Sequence, residues 1–153
     1  RGTVTNNFDK DGLGRIKAKV TTVLGDEELP WAMPCVPYAG DNLGMFFIPP
    51  EGSNVWIEFE DGDVYRPIFS GCFWAHGQIP DKNYNPNIKI IKTENATLRI
   101  GDKSAKNIIE IKTDKNQKII VNPEGIELFH QGCSVRLTSG KVSINGKNLE
   151  VLK

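Results

Sequence analysis

Short β-strand-like units fill the second half of the chain, and they constrain its fold more than any other feature. In each unit two apolar residues flank a third residue, which is usually polar. Alternation with a period of two is typical of a strand that has one apolar face. The starts are 7 to 11 residues apart, so the sequence predicts an irregular repeat of short strands. The units begin at Leu98, Ile109, Ile119, Ile126, Val135, Val142 and Leu149.

One copy of this repeat has too little apolar surface to fold alone. Each unit offers two inward residues, and Phe129 is the one aromatic residue between 93 and 153. Ordering a residue costs about 1–2 kcal/mol of backbone entropy, which so narrow an apolar stripe does not offset. Three identical chains, each forming one face of a narrow prism, would enclose the stripe, so we predict a homotrimer. Its predicted core is formed by Leu98, Ile100, Ile109, Ile111, Ile119, Val121, Ile126, Leu128, Val135, Leu137, Val142 and Ile144.

The first half has the pattern of a small all-β barrel. Ile16, Ala18 and Val20 alternate with charged residues, and residues 55–60 repeat this alternation. The segment 61–63 reads Asp-Gly-Asp, which favours a hairpin turn because both residue types tolerate a positive φ. Several short strands with Gly, Pro and Asp between them predict an OB-type barrel of about five strands.

Charge divides the chain near residue 77. Residues 1–77 carry 6 basic and 11 acidic residues, a net charge of −5, whereas residues 78–153 carry 13 and 8, a net charge of +5. The predicted domains are an OB-fold barrel over 1–77, a linker over 78–92 and a trimeric fibre over 93–153. OB barrels bind single-stranded nucleic acid through a positively charged groove, so an acidic barrel argues against a nucleic-acid partner. No apolar run approaches the roughly 20 residues of a membrane-spanning helix.

Cysteines and one acidic loop are present without the spacing that metal binding needs. Cys35, Cys72 and Cys133 form no CxxC pair, so we expect three buried free thiols in a reducing compartment rather than zinc ligands. The segment 9–14 begins like a calcium loop, but Val20 stands where the bidentate glutamate belongs. We therefore expect no metal site and no cofactor.

Four carboxylates close to one another are expected to be solvated rather than catalytic. Two of them share the outward face of one strand and two flank a turn glycine, which is not the facing pair of a glycosidase. They are Glu58, Glu60, Asp61 and Asp63. His76 and His130 lie at the ends of predicted strands, and we expect both to be exposed. Since no nucleophile–base pair is visible, the sequence predicts no catalytic residue and no enzyme activity.

Three tryptophans in the first half leave two interpretations open. Trp31, Trp56 and Trp74 have the surface needed to stack on a base or a sugar. Trp56 lies between residues of the buried face of its strand and therefore points outward. We favour a contact between Trp56 and a neighbouring subunit.

Five segments of the first half, in this order, resemble the phage baseplate assembly protein V and contractile-tail central spike family. They cover 11–16, 31–40, 44–49, 51–63 and 66–74, and include the sequences Asp-Gly-Leu-Gly-Arg-Ile and Arg-Pro-Ile. The positions that match the family's motifs are Gly14, Arg15, Gly52, Gly62, Asp63, Arg66, Pro67 and Gly71.

The resemblance implies an OB-type barrel followed by an intertwined trimeric β-helix. It implies a structural central spike of a contractile machine, such as a phage tail or tailocin, that is assembled in the bacterial cytoplasm. Such a spike joins the baseplate hub to the tip and pierces the target cell envelope when the sheath contracts. A type VI secretion spike and an extracellular injection system use related parts.

The C-terminal end departs from one pattern of the family. Some relatives carry a metal at a pointed apex through a His-x-His pair, which is absent here because His76 and His130 are the chain's two histidines. The end at 149–153 instead predicts a blunt surface for a separate PAAR-like tip protein. The alternative function is a trimeric OB-fold binding module that recognises a glycan or a baseplate protein.

Overall fold

Two compact units make up the chain. The computed structural model describes residues 1–82, 85–102, 106–146 and 148–152. The first unit is Arg1–Ile79 and the second is Pro80–Lys153. Among the described residues the helices are one α-helical turn, α1 (Thr21–Leu24), and one 3-10 turn, Glu60–Gly62. The predicted all-β class is therefore confirmed.

The described strands of the first unit are β1 (Gly2–Asn6), β2 (Lys17–Lys19), β3 (Met33–Pro34), β4 (Ala39–Gly40), β5 (Leu43–Gly44), β6 (Asn54–Phe59) and β7 (Pro67–Phe73). Five of them form one sheet, in the order β2-β1-β6-β7-β3. Strands β4 and β5 form a separate hairpin. An isolated antiparallel bridge joins Ile16, next to β2, to Ala32, next to β3, and so connects the two edge strands of the sheet. The described strands nevertheless form no closed barrel.

A small apolar core lies inside this sheet. Ile16, Ala18 and Val20 are buried, as their alternation with charged residues predicts. Val55 of β6 and Phe69 of β7 are buried in the same unit. The sequence pattern thus assigned the inward face of these strands correctly.

A turn before β2 is held by one buried carboxylate. The Asp9 side chain is 3% exposed and accepts hydrogen bonds from the backbone N–H groups of Asp11, Leu13 and Arg15 at 3.1–3.3 Å. The Arg15 guanidinium donates to the same carboxylate at 2.9 and 2.7 Å and also contacts Asp11. These bonds from Arg15 hold the pKa of Asp9 well below its ordinary value. The loop that begins like a calcium site is therefore a turn closed by an ion pair.

We predict that Asp9→Asn lowers the melting temperature of the first unit by several degrees at pH 7. An amide cannot pair with Arg15 or accept at both ends from the backbone donors. Because the folded-state pKa of Asp9 lies below its unfolded-state value, its contribution is complete above that unfolded value and is lost as the pH falls. The difference between wild type and variant in thermal melts should narrow below about pH 4. A difference that is constant from pH 7 to pH 3, or one equalled by Asp26→Asn, would contradict this role.

Eight strands of the second unit form one antiparallel meander, in which each strand pairs with its neighbours in sequence. Their bounds are β8 (Ile88–Lys92), β9 (Ala96–Gly101), β10 (Ile109–Thr113), β11 (Lys118–Asn122), β12 (Gly125–His130), β13 (Cys133–Leu137), β14 (Lys141–Ile144) and β15 (Leu149–Leu152). Two hairpins have central residues with positive φ, Gln131-Gly132 and Asn145-Gly146. This conformation matches the twist of the flanking strands.

Strand β8 lies within the stretch 78–92 that the sequence analysis assigned to a linker. Ile91 is directly opposite Leu98 of β9, and Lys89 is opposite Ile100. The sequence pattern did not predict β8, because Lys89 occupies a position where every other strand has an apolar residue. Its ammonium group pairs with Asp102, which allows a charge at this position. Within one chain the strands form an open meander, so winding about a shared axis stays a prediction.

Candidate trimer interface

One face of the eight-stranded sheet carries apolar residues on every strand, and Lys89 of β8 is the one charged residue in its two central columns. Directly opposite residues of neighbouring strands share a face, and the register aligns the apolar positions in two columns. All twelve residues predicted for the trimer core lie on this face. The column that lies nearer to the 131–132 turn contains Ile91, Leu98, Ile111, Ile119, Leu128, Val135, Ile144 and Leu149. The other column contains Lys89, Ile100, Ile109, Val121, Ile126, Leu137, Val142 and Val151.

This apolar face is open to solvent in a single chain. Twelve of its side chains are between 37% and 60% exposed. Complete burial of a Val, Leu or Ile side chain contributes about 1.5–3 kcal/mol, so covering these exposed parts is worth on the order of 10 kcal/mol per chain. That figure is as large as the whole net stability of an ordinary domain. The face therefore has the extent and composition of a protein interface rather than a solvated surface.

The opposite face of the same sheet is mainly polar, although Ile90, Ile120 and Phe129 also lie on it, and several of its charges are paired within the chain. Along its centre Arg99 is opposite Glu110, and Glu127 is opposite Arg136. The Arg136 guanidinium lies 2.6 Å from Glu124 and 3.1 Å from Glu127. Opposite charges across strands stabilise the register. The two faces thus differ so clearly that only one of them suits a dry interior.

Two potential metal ligands lie at one end of the apolar face. His130 and Cys133 are directly opposite each other beside the 131–132 turn, and both are exposed, as predicted for His130. No cluster of three or more His, Cys, Asp or Glu residues that would suit a metal ion occurs in the described ranges. Cys35, Cys72 and Cys133 are free thiols, but the prediction that they are buried is wrong, because all three residues are exposed. Partial burial of the Cys72 thiol raises its pKa.

Motif positions of the first unit lie in turns and ion pairs. The Gly14 backbone has φ +71, and a Cβ there would lie 3.0 Å from the Phe46 ring. Gly52 donates its N–H to the Val4 carbonyl at 2.9 Å. Arg15, as described, forms the ion pair with Asp9. These positions maintain the loops around β1 and β2.

The remaining motif positions surround the β6–β7 hairpin. Arg66 lies 2.6 Å from Glu60 and 3.2 Å from Asp61, both of which belong to the 3-10 turn that contains Gly62. Asp63 accepts a hydrogen bond from the Tyr65 N–H at 2.9 Å. Pro67 is buried at the start of β7, and Gly71 lies opposite Trp56 at an irregularity in the register. The four carboxylates considered for catalysis are thus exposed or half-exposed turn and strand residues, without a facing pair.

The tryptophans occupy different environments. Trp31 lies under the charged groups of Arg15 and Lys17, at 5.6 and 5.5 Å from its ring centroid. Trp56 is 44% exposed and its ring centroid lies 4.9 Å from that of Phe73. Trp74 is 65% exposed. The outward direction predicted for Trp56 is correct.

The exposed hairpin of β4 and β5 was not predicted from the sequence. Leu43 of β5 and the flanking Tyr38, Phe46 and Phe47 are all more than half exposed. The signal was the segment 36–48, where apolar residues follow one another without the alternation of a half-buried strand. Ile91, Leu149 and Val151 also lie on the apolar face but were absent from the predicted core.

Family comparisons agree with this division into an OB-like unit and an association surface. Residues 1–74 match a type VI secretion system/phage-baseplate injector OB domain, and residues 87–150 match a phage baseplate V C-terminal trimerisation domain. The matches leave only 75–86 and 151–153 uncovered.

A structural protein of a phage-tail-like baseplate or spike is the class that these matches define. The chain belongs to the phage baseplate V family, as the motif resemblance indicated. The second match supports a homotrimer. No curated protein matches the sequence significantly. Within the described part of the chain, no helix has the length and apolarity to cross a membrane.

Proposed function

We propose that a trimer of this chain is the central spike of a contractile injection machine, such as a phage tail or tailocin. The observation that carries the proposal is a sheet with one face that is apolar on all eight strands, apart from Lys89, and one face that carries cross-strand charge pairs. Three such sheets, closed with their apolar faces inward, form a rod that is dry inside and polar outside. A rod of this kind suits mechanical penetration of a target cell envelope, because its interior is packed on all three sides.

The sheet geometry gives the rod its length and its direction of strength. Eight strands at a spacing of about 4.8 Å extend about 34 Å in the hydrogen-bonding direction. In the trimer this direction runs along the shaft, so backbone hydrogen bonds connect one end of the rod to the other. The winding of the three chains into a β-helix belongs to this proposal.

Partners of the spike follow from its two ends. The OB units form a collar that binds the baseplate hub, and the C-terminal end receives a separate PAAR-like tip protein. Strand β15 (Leu149–Leu152) is the last strand of the sheet, with one unpaired edge in the single chain. Natural proteins cover such edges, which supports a docked tip. The trimer assembles in the bacterial cytoplasm and acts at the target cell surface.

Removal of the gene from the organism that encodes it tests this function. We expect particles without the chain to fail in puncturing target cells, and expression of the wild-type chain from a plasmid to restore puncturing. Particles that contain the chain should release it from the tail tip after sheath contraction, as electron microscopy with an epitope tag would show. Particles that contract and puncture envelopes at the wild-type rate without the chain would exclude a spike role.

A second function is supported by the exposed Trp56 beside Phe73. An outward aromatic pair of this kind also suits a trimeric OB-fold module that recognises a glycan or a baseplate protein. A glycan array with the purified trimer separates the two functions. Specific binding that is lost in Trp56→Ala and retained in Trp31→Ala would favour the module.

A further inference from the structure

The first unit carries a hydrophobic arm, defined here as residues 36–48, which includes the β4–β5 hairpin. With Leu13 and Pro34 the arm encloses a groove of about 370 Å³ whose lining residues are all uncharged. Five large side chains of the arm are between 42% and 76% exposed. They are Tyr38, Leu43, Met45, Phe46 and Phe47. Exposed apolar surface this concentrated is typical of a protein interface.

The same unit carries a second exposed surface, the aromatic platform, defined as Arg1, Trp56 and Phe73. The Arg1 guanidinium lies 5.2 Å from the Trp56 ring centroid and 5.5 Å from that of Phe73. Opposite Trp56 in the ladder is Gly71, where an added Cβ would meet no atom within 4 Å. The platform is thus open on this side, and none of its residues lines the groove of the arm.

The two surfaces are complementary in charge as well as in polarity. Asp41 is the one charged residue of the arm, and Arg1 is the one charged residue of the platform. Opposite single charges on two apolar surfaces favour their contact with each other over a contact of either surface with its own copy.

Threefold symmetry determines how such surfaces meet. When a contact joins two different patches of identical chains, each chain binds the next head-to-tail, and the contacts close into a ring. The C-terminal sheets hold the three OB units in one particle, where the effective concentration for a further contact is in the millimolar range. A contact that is too weak to join free chains can therefore still form between the OB units of one trimer.

We propose that the hydrophobic arm of each chain packs on the aromatic platform of the next chain in the trimer. The inference rests on the trimer of the proposed function and assigns the surfaces that connect its OB units. The pairing places Asp41 of one copy beside Arg1 of another and covers the apolar side chains that a single chain exposes.

Cross-linking of paired cysteines tests this contact in the full-length chain. In a background with Cys35, Cys72 and Cys133 replaced by serine, Ala39→Cys adds a thiol to the arm. Glu58→Cys adds one two residues from Trp56, on the same face of β6. With a short bismaleimide we expect the double variant to give covalent trimers on a denaturing gel. Each single variant should remain at the mass of one chain.

Three other results would overturn the contact. Covalent dimers of Ala39→Cys alone would show that arms meet one another. A double variant that stays uncross-linked, while light scattering shows a trimer, would leave the arm to another protein such as the hub. A monomeric mass before cross-linking would remove the trimer itself, so failure of the proposed function is distinguishable from failure of this contact.

Discussion

Gly125→Ala is expected to unfold the C-terminal sheet and abolish association of the chain. Gly125 begins β12 with φ +152, and an added Cβ would overlap the Leu137 carbonyl oxygen and lie 3.0 Å from its carbon. Both are backbone atoms of β13, so no side chain can rotate to relieve the clash. The N–H of Gly125 also donates to the Asn122 side chain at 3.0 Å, which fixes the turn before β12. Relief therefore requires separation of β12 from β13.

We expect this variant to lose about 3 kcal/mol or more of stability per chain, the range of severe single substitutions. Circular dichroism melts and light scattering at equal protein concentration measure the loss. The matched control is Gly140→Ala, because an added Cβ there meets no atom within 4 Å and φ is not positive. If Gly125→Ala formed oligomers as stable as those of Gly140→Ala, the close approach of β12 to β13 would be wrong.

Ile119→Lys is expected to prevent trimer formation, whereas Ile120→Lys is expected to leave the trimer intact, although the two residues are adjacent in β11. Ile119 lies on the apolar face between Ile111 and Leu128, so the trimer would enclose three lysines, one from each chain. An unpaired buried charge costs several kcal/mol, and we expect about 3 kcal/mol or more per chain. The first variant should therefore be a monomer at concentrations where wild type is a trimer.

Ile120→Lys introduces the same charge on the opposite face. There the new ammonium group stands between Glu110 and Glu127, which are directly opposite on the neighbouring strands. Favourable cross-strand charge pairs contribute about 0.2–1 kcal/mol each, so the trimer should be retained.

If the protein were a monomer, the two substitutions would exchange their order of severity. In a single chain Ile119 is 42% exposed, whereas Ile120 is half-buried, so the lysine would be tolerated better at 119. Sedimentation velocity of the two variants therefore separates a trimer with the apolar face inside from a monomer. Equal sedimentation of Ile119→Lys and wild type would contradict the assigned interface.

Much of this molecule could be predicted because alternation determines which face of a strand is apolar. The unit around Leu98 shows Leu-Arg-Ile, and its two apolar residues lie on the shared face, as the alternation indicates. Strand β8 escaped prediction because Lys89 interrupts that alternation, and the compensating Asp102 is distant in sequence. The hydrophobic arm escaped it because its apolar residues follow no period, so the sequence does not distinguish a buried strand from an exposed hairpin.

The turns likewise include one that the sequence predicts and one feature that it does not. Asn145-Gly146 is a recognisable hairpin signal, and both residues have positive φ. The close approach at Gly125 depends on the register between β12 and β13, which is a tertiary feature. A glycine after Pro-Glu in the sequence indicates a turn but gives no sign that the adjacent strand leaves no room for a side chain.

The solution mass of the purified chain, measured by light scattering on a size-exclusion column, tests the central claim most directly. A trimer closed through the apolar face should give three times 17.0 kDa, and this mass should persist on dilution. The result that would contradict the account is a stable monomer of 17.0 kDa with the C-terminal sheet folded. The apolar face would then be solvent-exposed in the native protein, and neither the shaft nor the ring of OB units would form.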